Sequence, residues 1–314
     1  MSNTKNEPIH SSDLLATLQY SQQAPILLGR QSNSKMAPLS LITSVPAQPE
    51  EYAMIERLFF TCLQTGDDKS ALICLDKLTQ FFGSSNERIM GLHGLYEEAI
   101  AGDNFSLEKC LQEYDDILQQ NPVNLPILKR RIALLRSLSR PADAISSLIK
   151  LLEATPTDTE AWCELADLYR LQGMSSQAIF CLEEALLITP NAWNVHACLA
   201  ELLYVCASSQ ENGDPSKLLR RSMRHYCRSI ELCDDYLRGF YGLALVTTLL
   251  LETEESCTTE EVSLKETLPR LNTFAFEKLE AIVKSRFMDY QGQKCSQSEL
   301  IAAKELLDRF GKSN

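Results

Sequence analysis

Three prolines, Pro122, Pro156 and Pro190, stand 34 residues apart, and each follows apolar residues at helical spacing. A fixed period of this length means one supersecondary unit stacked on copies of itself, because a single such unit cannot bury its own apolar face. Proline lacks an amide donor and clashes with the turn before it, so each of the three ends a helix and sets a register. In the unit 159–192, Trp162, Leu165, Ala166 and Tyr169 share one face of a first helix. Ala178, Leu182 and Ala185 share a face of a second helix, where small residues let two backbones approach. Gly173 supplies the turn between the two helices, and Pro190 stops the second.

This pattern resembles the tetratricopeptide repeat, W-x2-L-G-x2-Y followed by A-x3-F, A and P, with Ala166 in the Gly position and Leu182 in the Phe position. Residues 125–158 hold the same register with Leu128, Ile132, Leu135, Ala144, Leu148, Leu151 and Pro156, although Arg131 takes the usual Leu position. Residues 52–85 hold it with Ile55, Leu58, Phe59, Cys62, Gly66, Ala71, Leu75 and Leu78. Cys110, Tyr114, Ile117 and Pro122 close a further unit after a short insertion around 102–106. Another unit starts at Trp193 with Leu199 and Ala200, and is expected to absorb an insertion over 208–216 before its second helix resumes at Lys217. Phe240, Leu243 and Ala244 mark the last first helix. The expected fold is all-α: a right-handed superhelical solenoid of tetratricopeptide-like helical hairpins with capping helices.

The ends break the period. Residues 1–50, rich in Ser, Gln and Pro, read as an extended or mobile arm before the array at 51–250. The remainder, 251–314, reads as an acidic loop over about 250–266 followed by amphipathic helices near 271–286 and 296–310. Those helices would cap the array, since a solenoid must cover its last apolar face.

Composition narrows the function classes. A net charge of −12 argues against nucleic acid as a partner. The eleven cysteines are odd in number, scattered through a long chain and without a CxxC pair, so no disulfide framework is expected and a reducing compartment is. No secretory leader is expected from the N-terminal residues. The longest apolar run, 242–251, is too short to span a bilayer. Nucleotide-binding, metalloprotease, serine-hydrolase and calcium-loop motifs do not occur. Ser147 and Lys150 match SxxK without its partner motifs, and Asn104–Ser106 is a sequon expected to go unused. His196, Cys198 and Cys206 do not have paired-ligand spacing, and they read as ordinary packing and surface residues beside His10, His93 and His225. No catalytic residue, cofactor, metal or small-molecule substrate is expected.

What remains is surface. Tetratricopeptide co-chaperones clamp a C-terminal carboxylate with a Lys at position five and an Asn at position nine of the repeat. The corresponding pairs here are Cys163 and Asp167, Lys129 and Ala133, and Ala197 and Glu201, and Glu160, Glu164 and Asp167 would repel an acidic tail. The candidate contact residues are therefore Glu160, Asp167 and Arg170 on a first helix, and a basic stripe of Lys217, Arg220, Arg221, Arg224 and Arg228. The stripe recurs every three to four residues, and Tyr226 and Ile230 would form the apolar face of the same helix. Such a stripe suits anionic lipid head groups or an acidic partner, and equally a solvated outer face that offsets the acidic loop.

The segments EYDDILQQNP, TDTEAWCELADLYRLQGMSSQAIFCLEEALLITPNAWNVHACLAELLY and HYCRSIELCDDYLRGFYGL, in this order, resemble the subunit 2 family of the endoplasmic reticulum membrane protein complex. The likeness covers roughly residues 50–250. It implies a non-catalytic, cytosol-facing scaffold, peripheral to the membrane, partnered by other subunits of the complex including membrane-embedded ones. The family's complex inserts tail-anchored and multipass proteins into the endoplasmic reticulum membrane. An adaptor in another cytosolic or nuclear assembly remains the main alternative, with a prenyltransferase-like α subunit behind it.

Overall fold

A computed structural model describes residues 14–27, 49–209, 214–254, 262–288 and 297–310, and every regular element among them is helical. In chain order these are α1 (Leu14–Gln22), α2 (Pro49–Thr65), α3 (Asp68–Phe82), α4 (Glu87–Ile100), α5 (Asn104–Gln120), α6 (Leu125–Ser137), α7 (Pro141–Ala154) and α8 (Thr159–Leu171). They continue as α9 (Ser175–Ile188), α10 (Trp193–Ser209), α11 (Pro215–Leu232), α12 (Leu237–Glu254), α13 (Val262–Met288) and α14 (Gln297–Phe310). The periodic units map onto helix pairs: 52–85 onto α2 and α3, 125–158 onto α6 and α7, and 159–192 onto α8 and α9.

The helix starts are written in the chain. Asp67, Asn86, Asp103, Asn124, Asp158 and Asp214 each precede a helix and accept a backbone N–H from its first turn, at 2.8–3.2 Å for the closest contact. Each such cap satisfies one of the donors a helix leaves open, and is worth about 1 kcal/mol. The turns inside the hairpins repeat as well. Gly66, Ser139 and Gly173 all fall at position 15 of their units, and all have positive φ: 73°, 57° and 72°. The next residue closes the same six-residue bond each time, Asp67 N to Cys62 O, Arg140 N to Leu135 O and Met174 N to Tyr169 O, all at 2.9 Å. Two of the three turns use the residue that reaches this conformation without steric cost, and Ser139 does not.

The chain divides into two compact units, 1–147 and 148–314. In the first, Ile55, Leu58, Phe59, Cys62, Ala71, Leu75 and Leu78 are buried at the register positions, together with Cys74, Ile89 and Leu92. Farther along the same unit, Tyr114 lies across Gly94 and donates to Glu98, which also pairs with Arg130 of α6. Arg131, in the usual Leu position, turns its guanidinium to Asp115 at 2.6 Å and to Ser147 at 2.7 Å. In the second unit one core joins α10, α11 and α12 to α13 and α14, through Leu219, Tyr226, Phe240 and Leu243 on one side and Leu268, Leu279, Leu300 and Leu306 on the other.

The structure departs from expectation in three places. Within the segment read as an extended arm, Leu14–Gln22 is a helix packed on α2, with Thr17 and Ser21 buried and Ser21 Oγ 2.7 Å from Thr65 Oγ1, and Ala24 is buried just after it. Small residues at i and i+4, Thr17 and Ser21, give this polar stretch a narrow face that fits against a neighbour. The rest of the arm lies outside the described residues. The insertion over 208–216 is partly helical: Ser208 and Ser209 finish α10, and Pro215 and Ser216 open α11. A proline at the first helical position loses no bond that was there to make. Both flanks of the acidic stretch are helical: α12 runs to Glu254 and α13 starts at Val262, ahead of Leu271. Pro269 therefore sits inside α13, where it removes one backbone bond while Leu268 beside it is buried in the core.

Candidate functional site

The repeat with the fullest pattern carries an apolar cleft. Trp162 is half-buried and Leu165, Ala166, Ala178, Leu182 and Ala185 are buried, with Tyr169 between the two helices. The Trp162 indole Nε1 donates to Pro156 O at 2.9 Å, so its one polar atom is satisfied by the proline that ends the preceding unit. Its ring meets Phe180 edge-on, with centroids 6.1 Å apart. Between α7 and α9, with α8 beneath, a cleft of about 320 Å³ is lined by Ile149, Leu152, Glu153, Trp162, Leu165, Tyr169, Gln177, Phe180 and Cys181. Burial pushes the Cys181 thiol up to about 11, with Glu184 adding to the effect. At neutral pH that thiol is a small neutral apolar group rather than a nucleophile.

The first-helix candidates lie on α8. Arg170 Nη2 donates to Asp167 Oδ1 at 2.8 Å, and this bond raises the guanidinium above its ordinary value. Glu160 is exposed at the start of the same helix. Burial raises the thiols of Cys163, to about 11, and Cys198, and the charges that act on Cys198 are Glu201, Arg238, Arg170 and Asp167. This surface is thus mixed in sign. Ala197, one of the positions compared with a carboxylate clamp, is buried.

The basic stripe lies on α11, whose other face buries Leu219, Ser222, Met223 and Tyr226, with Ile230 partly buried against the same core. The five cations are not equivalent. Lys217 and Arg224 are exposed, and Arg220 is half-buried. Arg221 forms an ion pair with Glu183 of α9. Arg228 donates to Glu231 and to Asn191, both at 3.1 Å. Two of the five, Arg221 and Arg228, therefore hold α11 to its neighbours.

One constellation escaped the spacing argument. His196 of α10 and His225 of α11 meet through their Nδ1 atoms at 3.1 Å, and His196 Nε2 lies 3.0 Å from Pro190 O. A carbonyl oxygen can only accept, so His196 carries its proton on Nε2 and accepts at Nδ1 from His225 Nδ1–H. Burial, then His196, then Arg221 depress His225 to about 4. The two residues are 29 positions apart on different helices, and no local spacing marks them. Among the described residues there is no group of three or more His, Cys, Asp or Glu placed to hold a metal ion, and no helix long and apolar enough to cross a membrane.

Helical hairpins at a 34-residue period, turned by the same bond at position 15 and presenting an apolar cleft and charged faces, define a tetratricopeptide-repeat protein. The C-terminal part of a tetratricopeptide repeat-containing protein from Cytophaga hutchinsonii shares the fold, with a TM-score of 0.54 at 12% identity, over 90% of this chain and 98% of that one. The family model described as the EMC2 TPR-like repeat domain matches residues 85–216. The TPR repeat protein oca3 of Schizosaccharomyces pombe is 34% identical over 203 residues, covering 65% of this chain and 68% of that protein. The ER membrane protein complex subunit 2 of Xenopus tropicalis is 33% identical over 192 residues, covering 61% of each chain. The chain belongs to the family of ER membrane protein complex subunit 2. Its match spans about three fifths of the length of the Xenopus relatives.

Proposed function

We propose that this chain is a non-catalytic scaffold subunit of an endoplasmic reticulum membrane protein complex, lying peripherally on the cytoplasmic side. In this role it supports the insertion of tail-anchored and multipass proteins by holding cytosolic and membrane-embedded subunits together. The observation that carries the reading is the 33% identity over 192 residues to a protein named as subunit 2 of that complex, a stretch that overlaps the repeat domain. An array of hairpins suits such work, because each repeat adds surface without requiring a reactive centre. The helices α13 and α14 close its apolar end. The exposed cations Lys217 and Arg224 offer a contact for an acidic partner segment or anionic head groups, worth about 1 kcal/mol for each residue held near a charged membrane.

The test is affinity purification of the tagged chain from detergent-solubilised membranes, with mass spectrometry of the proteins that accompany it. Stoichiometric recovery of multispanning endoplasmic reticulum proteins is expected. Recovery of soluble proteins only would assign the chain to a different assembly. In the same experiment, Lys217→Glu with Arg224→Glu is expected to lower recovery of the membrane subunits with helical content unchanged. Unchanged recovery would make the stripe a solvated face.

A further inference from the structure

We propose that the cleft between α7 and α9 is a docking site for an amphipathic helix of a partner protein, one that inserts a large apolar side chain and carries lysine or arginine one turn away. The inference stands apart from which assembly the chain joins.

Three features of the cleft select that occupant. The first is its lining. Ile149, Leu152, Leu165, Phe180 and the Trp162 ring supply the walls, and Phe180 and Ile149 are 54% and 39% exposed, so the cleft opens to solvent with apolar rims. Its volume of about 320 Å³ lies at the small end of the range for ligand clefts, roughly 300–1,000 Å³, and gives room for one or two large side chains.

The second is the shortage of hydrogen-bonding groups. The Trp162 N–H is already bonded to Pro156 O, and Cys181 is held as the neutral thiol. Gln177, Glu153 and the Tyr169 hydroxyl are the remaining side-chain polar groups of the lining. An extended segment laid into the cleft would bring a row of backbone N–H and C=O groups that this lining cannot satisfy. A helix satisfies its own backbone and presents side chains alone, which is the helix-in-groove mode of recognition.

The third is charge. Glu153 is the one charged residue of the lining. Lys150, next to Ile149, is exposed but does not line the cleft. The complement of an apolar slot edged by a carboxylate is an apolar anchor with a cation beside it, the anchor supplying affinity and the charge orientation.

Trp162 lies in the wall and reports on occupancy. The chain has two tryptophans, so Trp193→Phe leaves Trp162 as the sole emitter. The probes are a synthetic leucine–lysine peptide with leucines at helical spacing, its leucine–glutamate counterpart, and a scrambled leucine–lysine peptide of equal composition. The ordered leucine–lysine peptide is expected to shift Trp162 emission and to bind at least tenfold tighter than the other two. Phe180→Glu makes the chain more acidic, so it would strengthen any diffuse electrostatic attraction, whereas loss of the groove wall weakens docking roughly tenfold. Gln177→Phe, at an exposed rim position, fills the slot without changing charge or adding an indole and is expected to compete with the peptide to a similar extent. Equal binding of the ordered and scrambled peptides would overturn the proposal. So would undiminished binding to folded Phe180→Glu and Gln177→Phe proteins. The same emission shift with neutral phosphatidylcholine vesicles would identify a lipid occupant and overturn it too.

Discussion

Position 15 of the repeat exposes a local conflict between sequence and backbone. Ser139 holds the left-handed conformation that Gly66 and Gly173 hold in the neighbouring units, and closes the same turn bond. A residue with a Cβ loses about 1–2 kcal/mol there, and glycine returns about 0.5–1 kcal/mol of that through its freer unfolded state. Ser139→Gly is therefore expected to raise stability by about 0.5–1 kcal/mol, read as a higher urea midpoint at unchanged slope. The reciprocal Gly173→Ser is expected to lower it by a comparable amount. No gain from the first and no loss from the second would mean that the two turns are not equivalent. The repeat could be read from the chain at this level because Trp162, Leu165, Ala178 and Leu182 answer to helical periodicity, which is local. The pairing of His196 with His225, or of Glu98 with both Tyr114 and Arg130, depends on which helices stand side by side. Nothing within a window of a few turns carries that information.

Helix α11 shows how one element serves packing and surface together. Its basic residues were legible from three- and four-residue spacing, and its buried face from Tyr226 and Ile230. The engagement of Arg221 by Glu183 and of Arg228 by Asn191 was not, since those partners lie on or beyond the preceding helix. The same helix supplies His225, and the histidine pair makes its seat on α10 sensitive to pH. His225 titrates near 4 in the folded chain against an ordinary value of 6.5, so its neutral form is the one the fold selects. Stability from this source is complete above 6.5. It falls as pH drops from there toward 4, because the unfolded chain then binds a proton that the folded chain refuses. The slope cannot exceed about 1.4 kcal/mol per pH unit for one proton. Urea unfolding between about pH 7 and pH 5 is expected to show this loss in the native sequence, and a shallower one in His225→Phe, where only the carboxylates and other histidines remain to titrate. Parallel pH profiles for the two proteins would remove the pair from the account. Element boundaries were the least legible feature. Proline was a reliable stop at 122, 156 and 190, yet Pro215 opens a helix and Pro269 lies within one. One residue type serves as terminator, first residue or interruption according to what its neighbours bury.

The unit 148–314 is held together by neighbours in the chain. Helix α8 packs on α9, α9 on α10, α10 on α11 and α12, α11 on α12, and α12 on α13 and α14. Such connectivity makes stability a sum of hairpin terms and nearest-neighbour interfaces, so damage should stay near its source. Ala178 offers the sharpest probe, because it is fully buried at the small-residue position where α9 meets α8. Glu in its place would bury a carboxylate in the packing between two helices, at a cost of several kcal/mol. In native-state hydrogen exchange, Ala178→Glu is expected to strip protection from α8 and α9 first and from part of α10. In α12, α13 and α14, where Phe240, Leu279 and Leu300 share a separate buried cluster, protection is expected to persist. Uniform loss across α8–α14 would mean that this unit unfolds as one cooperative body, and that a chain of separable interfaces is the wrong description of it. Protection unchanged everywhere would instead place Ala178 outside the helix interface, and with it the 34-residue register from which the whole fold was read.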